Sequence, residues 1–360
     1  MEKPVQRSSS FELLRIVSMF MVVLGHCILS TAEDQEPILG VIDMSGWFIK
    51  SFTICAVDCF FLLTGYFVRS DRFRFSKILS IWFKTFFYSV LIYLIVSLVQ
   101  GDFDPKMLFT YMLPVTMKKY WYMQVYVALA FLAPFLALML ERLDKKQYTY
   151  LLVILFVFFS FHETFVKAMY TLDESQGYGI IWACVLLVVG KWLKRWGGVL
   201  IQRVPKPVWM AGYISCSMVN FFSNYLIIKF DIADGVTSRG NFYANSSVTV
   251  LAQSLCLFCF FIKLSEKMEY SKSIDFLASN ILAVYLISSH PLVLYPLWVD
   301  LFRMEQFWEK PVIYIFLAVV LTILVVLVCI LIDKIVEAVQ KRCGLYTLFR
   351  KADKFHFGFR

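Results

Sequence analysis

Charge is scarce in this chain. Only 17% of its 360 residues are Asp, Glu, Lys or Arg, while 60% are hydrophobic. That excludes an ordinary soluble domain, whose charged share is nearer about 25%. Histidine is scarcer still, with four in the whole chain, so a proton-handling imidazole has few places to be. Nine cysteines are present, but paired metal-type motifs are not. Cys256-x-x-Cys259 has no second pair and lies in an apolar run, so the thiols read as small buried hydrophobes and no metal site is expected. There is no low-complexity tract, no internal repeat and no appended soluble domain. The lack of two matched halves with Gly- or Pro-broken helices weighs against a transporter plan.

What the chain has in quantity is long apolar runs. At about 20 residues per span they fall near 12–31, 47–68, 78–99, 120–140, 148–165, 178–193, 207–229, 246–264, 275–297 and 311–335. The expected fold class is all-α, a polytopic membrane bundle of about ten helices filling residues 1–340, with a short basic tail at 341–360. If both termini are cytoplasmic, inner segments carry 24 Lys and Arg against 8 in outer ones, the bias of the positive-inside rule. The net charge of +9 is then an orientation and lipid signal, and no nucleic-acid partner is expected. Lys3, Arg7 and Ser30-Thr31-Ala32 outline a signal peptide, yet Glu12 and Arg15 at the edge of its apolar core favour a retained span. Three cations, Arg15, Lys50 and Lys84, fall inside the spans.

The first span carries the most informative pattern. Arg15 and His26 are eleven positions apart, which is roughly 16 Å and three turns plus about 20° of helix, so both leave on one face. Ser18, Val22 and Gly25 share that face, and Glu12 precedes Arg15 by one turn. Ionisable groups inside a membrane are costly and read first as functional.

Glu12-Leu-Leu-Arg15, ten residues and then His26 resembles the opening helix of the membrane-bound acyltransferase family 3 proteins, which acylate sugars of surface polysaccharides and related glycans. Further elements follow in the family's order over roughly 8–300. Asp58-Cys-Phe-Phe-Leu-Leu-Thr64-Gly65-Tyr66 has Thr64 where Ser is usual. A basic cluster of Arg69, Arg72, Arg74 and Lys77, with Lys84 beyond it, lacks the family's Pro. Tyr120-Trp121-Tyr122-Met-Gln124 leads to Pro134-Phe135, Asn241 to Ser247 forms a polar turn, and Tyr285-Leu-Ile-Ser-Ser is followed by His290-Pro291.

The resemblance implies a membrane O-acyltransferase that moves an acyl group, acetyl first among them, from acetyl-CoA or another acyl-CoA to a hydroxyl of a carbohydrate or of a cell-surface or lipid-linked glycan. It implies no permanently bound cofactor and a place in the cell membrane. His26 is read as the general base, with an acyl-histidine as the variant. Arg15 is read as a catalytic and donor-binding cation. Arg69, Arg72, Arg74, Lys77 and Lys84 are expected to hold acyl-CoA phosphates, and Asp58, Trp121, Tyr122, Gln124 and His290 the acceptor. Packing accounts equally for Thr64 and Gly65, and interfacial amphipathy for Trp121, Tyr122 and His290. His162 and His356 have no partner pattern and read as structural. The competing function is a polysaccharide or small-molecule exporter without acyl transfer.

Overall fold

The computed structural model describes residues 8–32, 41–71, 75–165, 175–230 and 242–342. Those residues form helices and turns without strands. Arg72, Arg74, His356, Asn241 and the tail from 343 onward lie outside them.

The chain begins with α1 (Ser9–Ala32), α2 (Val41–Thr53), α3 (Ala56–Phe67), α4 (Phe75–Gln100) and the short α5 (Pro105–Met112). Next come α6 (Trp121–Arg142) and α7 (Lys145–Phe156), the latter running through a π turn into α8 (His162–Phe165). Then follow α9 (Ile180–Trp192), α10 (Gly198–Arg203), α11 (Lys206–Lys229) and α12 (Val248–Ser265). The last part comprises α13 (Lys272–Ala278), α14 (Ile281–Ser288), α15 (Pro291–Tyr295) and α16 (Pro311–Arg342).

Seven helices are long and apolar enough to cross a membrane, or up to eight when the bent pair of Lys272–Ser288 and Pro291–Leu301 counts as one span. The expected count of ten thus exceeds what length and hydropathy support. Two expected runs account for the gap. Helix α9 has 13 residues before its π turn. Helix α11 is long but carries Ser217, Asn220 and Asn224, all buried polar groups that lower its hydropathy.

The run expected at 275–297 is also not one rod. It breaks at His290-Pro291, where the two pieces meet at 83°. Pro291 stands at the first position of α15, where its missing N–H costs no helical bond. His290 caps that helix: its Nδ1 accepts the Leu292 N–H at 3.1 Å.

Helix α1 joins two cores. Phe11 and Leu14 belong to one with α3, α6, α9 and α12, while Met19, Val23, Leu24, Cys27 and Ile28 belong to another with α4, α14 and α16. Within lipid, apolar surface gains little by helix association, so small residues and polar contacts decide which helices meet. At the α3–α9 seam a Cβ on Gly65 would lie 2.2 Å from the Leu187 carbonyl oxygen, and one on Gly190 would lie 2.3 Å from that of Leu62. Only glycine permits this backbone contact.

Ion pairs mark other seams. Lys84 Nζ donates to Asp333 Oδ2 at 2.8 Å and the Tyr88 hydroxyl to Asp333 Oδ1 at 2.7 Å, tying α4 to α16. Lys191 pairs with Glu141 at 2.8 Å, and Arg195 donates to the Leu140 and Leu143 carbonyls where α6 ends, the placement that suits a cation at a helix carboxyl end.

Candidate active site

A cavity of about 800 Å³ opens beside α1. Its cationic rim is Arg69 and Lys77, and Arg15, Thr64, Tyr122, Tyr126 and Tyr285 stand along its walls. Arg69 makes a two-pronged pair with Asp71, Nε to Oδ1 at 2.9 Å and Nη2 to Oδ2 at 2.6 Å. Pro134 and Ala133, within α6, also face the space, where a ring without an N–H and a methyl leave room that larger side chains would fill.

Arg15 is held from its own helix. Its Nη1 donates to Glu12 Oε1 at 2.5 Å, with the Arg15 side chain 36% exposed and Glu12 only 6%. One carboxylate oxygen is thereby used, and Glu12 Oε2 is buried without a partner among the described residues. The pair aims the guanidinium into the cavity with donors left over, because a guanidinium carries five.

On α1 the cavity is lined by Glu12, Arg15 and Met19 and reaches no further. His26 stands two turns beyond Met19, about 10 Å along the helix. What closes the cavity at that end is aromatic: the Tyr122 and Tyr285 rings meet edge to face at 5.6 Å, and Tyr122 stacks on Tyr126 at 5.9 Å. Ser289 lies one turn past Tyr285, its N–H donating to the Tyr285 carbonyl at 2.9 Å. Ser289 Oγ is 3.2 Å from His26 Nδ1. No described residue engages His26 Nε2, and the ring is half-buried.

The two adjacent serines behave differently because the helix ends between them. Ser288 Oγ donates back to the Val284 carbonyl at 2.8 Å, the usual use of a helical serine. Ser289, past the last α14 residue, is free to meet His26. With Nδ1–H donating to Ser289, Nε2 carries the lone pair that a base needs.

The structure therefore brings Arg15, Arg69, Lys77 and Tyr122 to one cavity and places the other sequence candidates elsewhere. Lys84 lies in the α4–α16 seam, paired with Asp333. Asp58 is fully buried between α3 and α9, where Trp182 Nε1–H donates to Oδ1 at 3.1 Å and Oδ2 has no described partner. Trp121 packs edge to face on Tyr178 at 4.7 Å, and Gln124 is half-buried on α6 away from the cavity lining. His290 is fully buried and both ring nitrogens are engaged, Nε2–H with the Ser89 carbonyl at 3.3 Å and Nδ1 with Leu292, while Tyr111 stacks on it at 5.0 Å. Arg72 and Arg74 lie outside the described residues.

Sequence reasoning gave no role to Ser289, Tyr126 or Tyr285. A signal existed for two of them: Tyr285 and Ser289 are four residues apart, hence on one helix face.

The helices and the cavity define a helical membrane protein with a cation-rimmed internal chamber. A family model described as an acyltransferase domain matches residues 8–333. The chain belongs to that family, acyltransferase family 3, and is a membrane acyltransferase that transfers groups other than amino-acyl groups. No curated protein and no solved structure matches the chain significantly.

Proposed function

We propose that the protein is a membrane O-acyltransferase that moves an acyl group, acetyl first among them, from cytoplasmic acyl-CoA to a hydroxyl of a cell-surface or lipid-linked glycan. The observation that carries this reading is the direction of the cavity. It starts at Arg69 and Lys77, passes Arg15, and ends at Tyr122 and Tyr285, one helical turn from the Ser289–His26 pair.

In this reading the CoA phosphates sit at the rim beside Arg69 and Lys77, the two described members of the basic cluster in the sequence. Arg15, roughly 16 Å along the helix from His26, meets a phosphate or the polar groups of the pantetheine arm. The touching Tyr122 and Tyr285 rings part to admit the pantetheine arm, and the thioester carbonyl is then presented to His26. The acceptor hydroxyl then attacks that carbonyl, His26 Nε2 takes its proton, the carbon–sulfur bond breaks, and the proton passes to the departing thiolate. Ser289 holds the imidazole in the required tautomer through Nδ1.

The chain crosses the bilayer ten times in this proposal, with α9 to α10 and α11 as the crossings that fall short on apolar length. Both ends are then cytoplasmic, and the membrane is the cell membrane. Membranes containing the protein should release free CoA from acetyl-CoA faster when candidate glycans are added. Equal release with and without the protein, across acetyl and longer donors, would remove the assignment.

A further inference from the structure

Of the three cations left over by the inner and outer segments, Arg15, Lys50 and Lys84, two are neutralised by the chain itself. Arg15 pairs with Glu12 and Lys84 with Asp333. The third, Lys50, has neither an ion pair nor a side-chain hydrogen bond among the described residues. Its ammonium instead lies over two rings, 4.9 Å from the Trp47 centroid and 5.5 Å from that of Tyr243.

The two rings form a fixed corner. They meet edge to face at 4.9 Å, and the Tyr243 hydroxyl donates to the Trp47 carbonyl at 3.1 Å. Trp47 Nε1–H is buried and has no acceptor among the described residues. Among the described residues, an ammonium and a buried indole N–H thus sit on the same ring system with no acceptor. A cation over a ring keeps part of its solvation but not the hydrogen bonds it lost, and an unanswered donor in a membrane bundle is expensive.

Nearby, α11 adds a third unanswered group. Phe221 meets Phe48 at 5.5 Å, and Asn224, about one turn further on, is buried with neither amide atom partnered among the described residues.

The corner is also close to the reacting centre. Thr53 Oγ1 donates to the Lys50 carbonyl at 3.3 Å, and a Cβ built on Gly25 would lie 3.5 Å from that same Thr53 Oγ1. Gly25 is the residue before His26. Lys50 is therefore one turn of α2 away from the point where α2 touches α1 beside the imidazole.

We infer that Lys50 and Trp47 form a subsite for an anionic group of the acceptor, held next to His26. The proposal rests on the acyltransferase reading for the identity of the acceptor. An ammonium is a compact charge with three donors and suits a single oxygen of a carboxylate or a phosphate, and the adjoining indole N–H suits a second oxygen. The anion comes either from an acidic sugar, such as a uronate, or from the phosphate of a lipid-linked sugar. Aromatic faces beside it match the C–H face of a sugar ring.

The test is equilibrium binding to the full chain in lipid nanodiscs, without donor. One arm compares p-nitrophenyl β-glucuronide with p-nitrophenyl β-glucoside, which differ only in the carboxylate. The other compares a polyprenyl phosphate with the parent polyprenol. In at least one arm the charged member should bind about tenfold or more tightly, the size of one charge-assisted hydrogen bond. Lys50→Gln should erase that preference and Lys50→Arg should keep most of it. Trp47→Phe, which keeps the ring and removes the N–H, should reduce it several-fold and serves where Lys50→Gln does not accumulate. No preference in either arm, or one unchanged in Lys50→Gln and Trp47→Phe, would overturn the subsite. Acyl-CoA consumption by wild type is read separately, so a Lys50-dependent preference without consumption would sink the acyltransferase reading and leave the subsite standing.

Discussion

Helix α3 has two unlike faces. Against α9 it is closed: Gly65 and Gly190 let the backbones touch, and a single added carbon at either has nowhere to go. Towards α4, α6 and α14 it stands off, with Phe60, Leu63 and Thr64 bordering the 800 Å³ cavity. The closed side is held by packing, with Asp58 Oδ2 as its one buried oxygen without a described partner. The open side keeps unspent polar capacity, in the Arg15 guanidinium and in the buried Glu12 Oε2. Membrane bundles gain little from hiding apolar surface, so tight contact on one face of a helix is what permits a chamber on the other.

Variants can separate the two faces. The largest effect is expected beyond the chamber, at His26. Asn keeps polarity and loses the base, so His26→Asn should insert normally while acyl transfer falls by ~10²–10⁴-fold. Normal insertion with activity within a few-fold of wild type would make His26 a packing residue.

On the closed face, Gly65→Ala should act on stability and not on kinetic constants. Its Cβ meets backbone, and overpacking of this kind costs about 1–3 kcal/mol. The thermal midpoint in detergent should drop, and a midpoint equal to wild type would show that the seam can spread.

Arg15→Ala tests the open face. The donor KM should rise roughly 10- to 100-fold, the value of a hydrogen bond to a charged group, and the midpoint should fall as well because buried Glu12 loses its partner. A fall in midpoint with an unaltered KM would return Arg15 to structure.

Ser289→Ala should be milder, about 3- to 10-fold in kcat, since one neutral hydrogen bond is removed. The smallest effect belongs to His162, on α8 and apart from the cavity lining, where Asn should leave transfer within experimental scatter.

The polar line on α1 was legible because it is local. Eleven residues of uninterrupted helix fix the relative direction of Arg15 and His26, and Glu12 finds Arg15 across a single turn. The helical class was legible from composition for the same reason that the span count was not. Hydropathy reports the average of a segment, and α11 hides Asn220 and Asn224 inside the bundle, where they lower the average without facing lipid.

Lys84 shows the limit most clearly. It reads as one more cation near the basic cluster, yet its partner Asp333 lies 249 residues away, and nothing in the local pattern announces it. Gly65 could be singled out while Gly190 could not, because a close approach names only one side until the partner helix is known. For His290, the His-Pro pair was visible, but its capping of α15 depends on the 83° turn that follows.

That turn has an electrical consequence for the neighbouring imidazole. Because α14 stops at Ser288, its carboxyl end, with a partial negative charge of up to about half an electron, comes to rest beside His26, although the Tyr285, Leu286 and Ile287 carbonyls already accept hydrogen bonds. A base that takes a proton becomes a cation, and here it would do so at the pole of a helix that favours one. The activity left in Ser289→Ala measures this share, since that change removes the hydroxyl and leaves the helix end in place. Near-complete loss would assign the stabilisation to the hydroxyl instead. A straight helix through 275–297 would have put that pole elsewhere, so the break at His290 sets the field that a protonated His26 would meet.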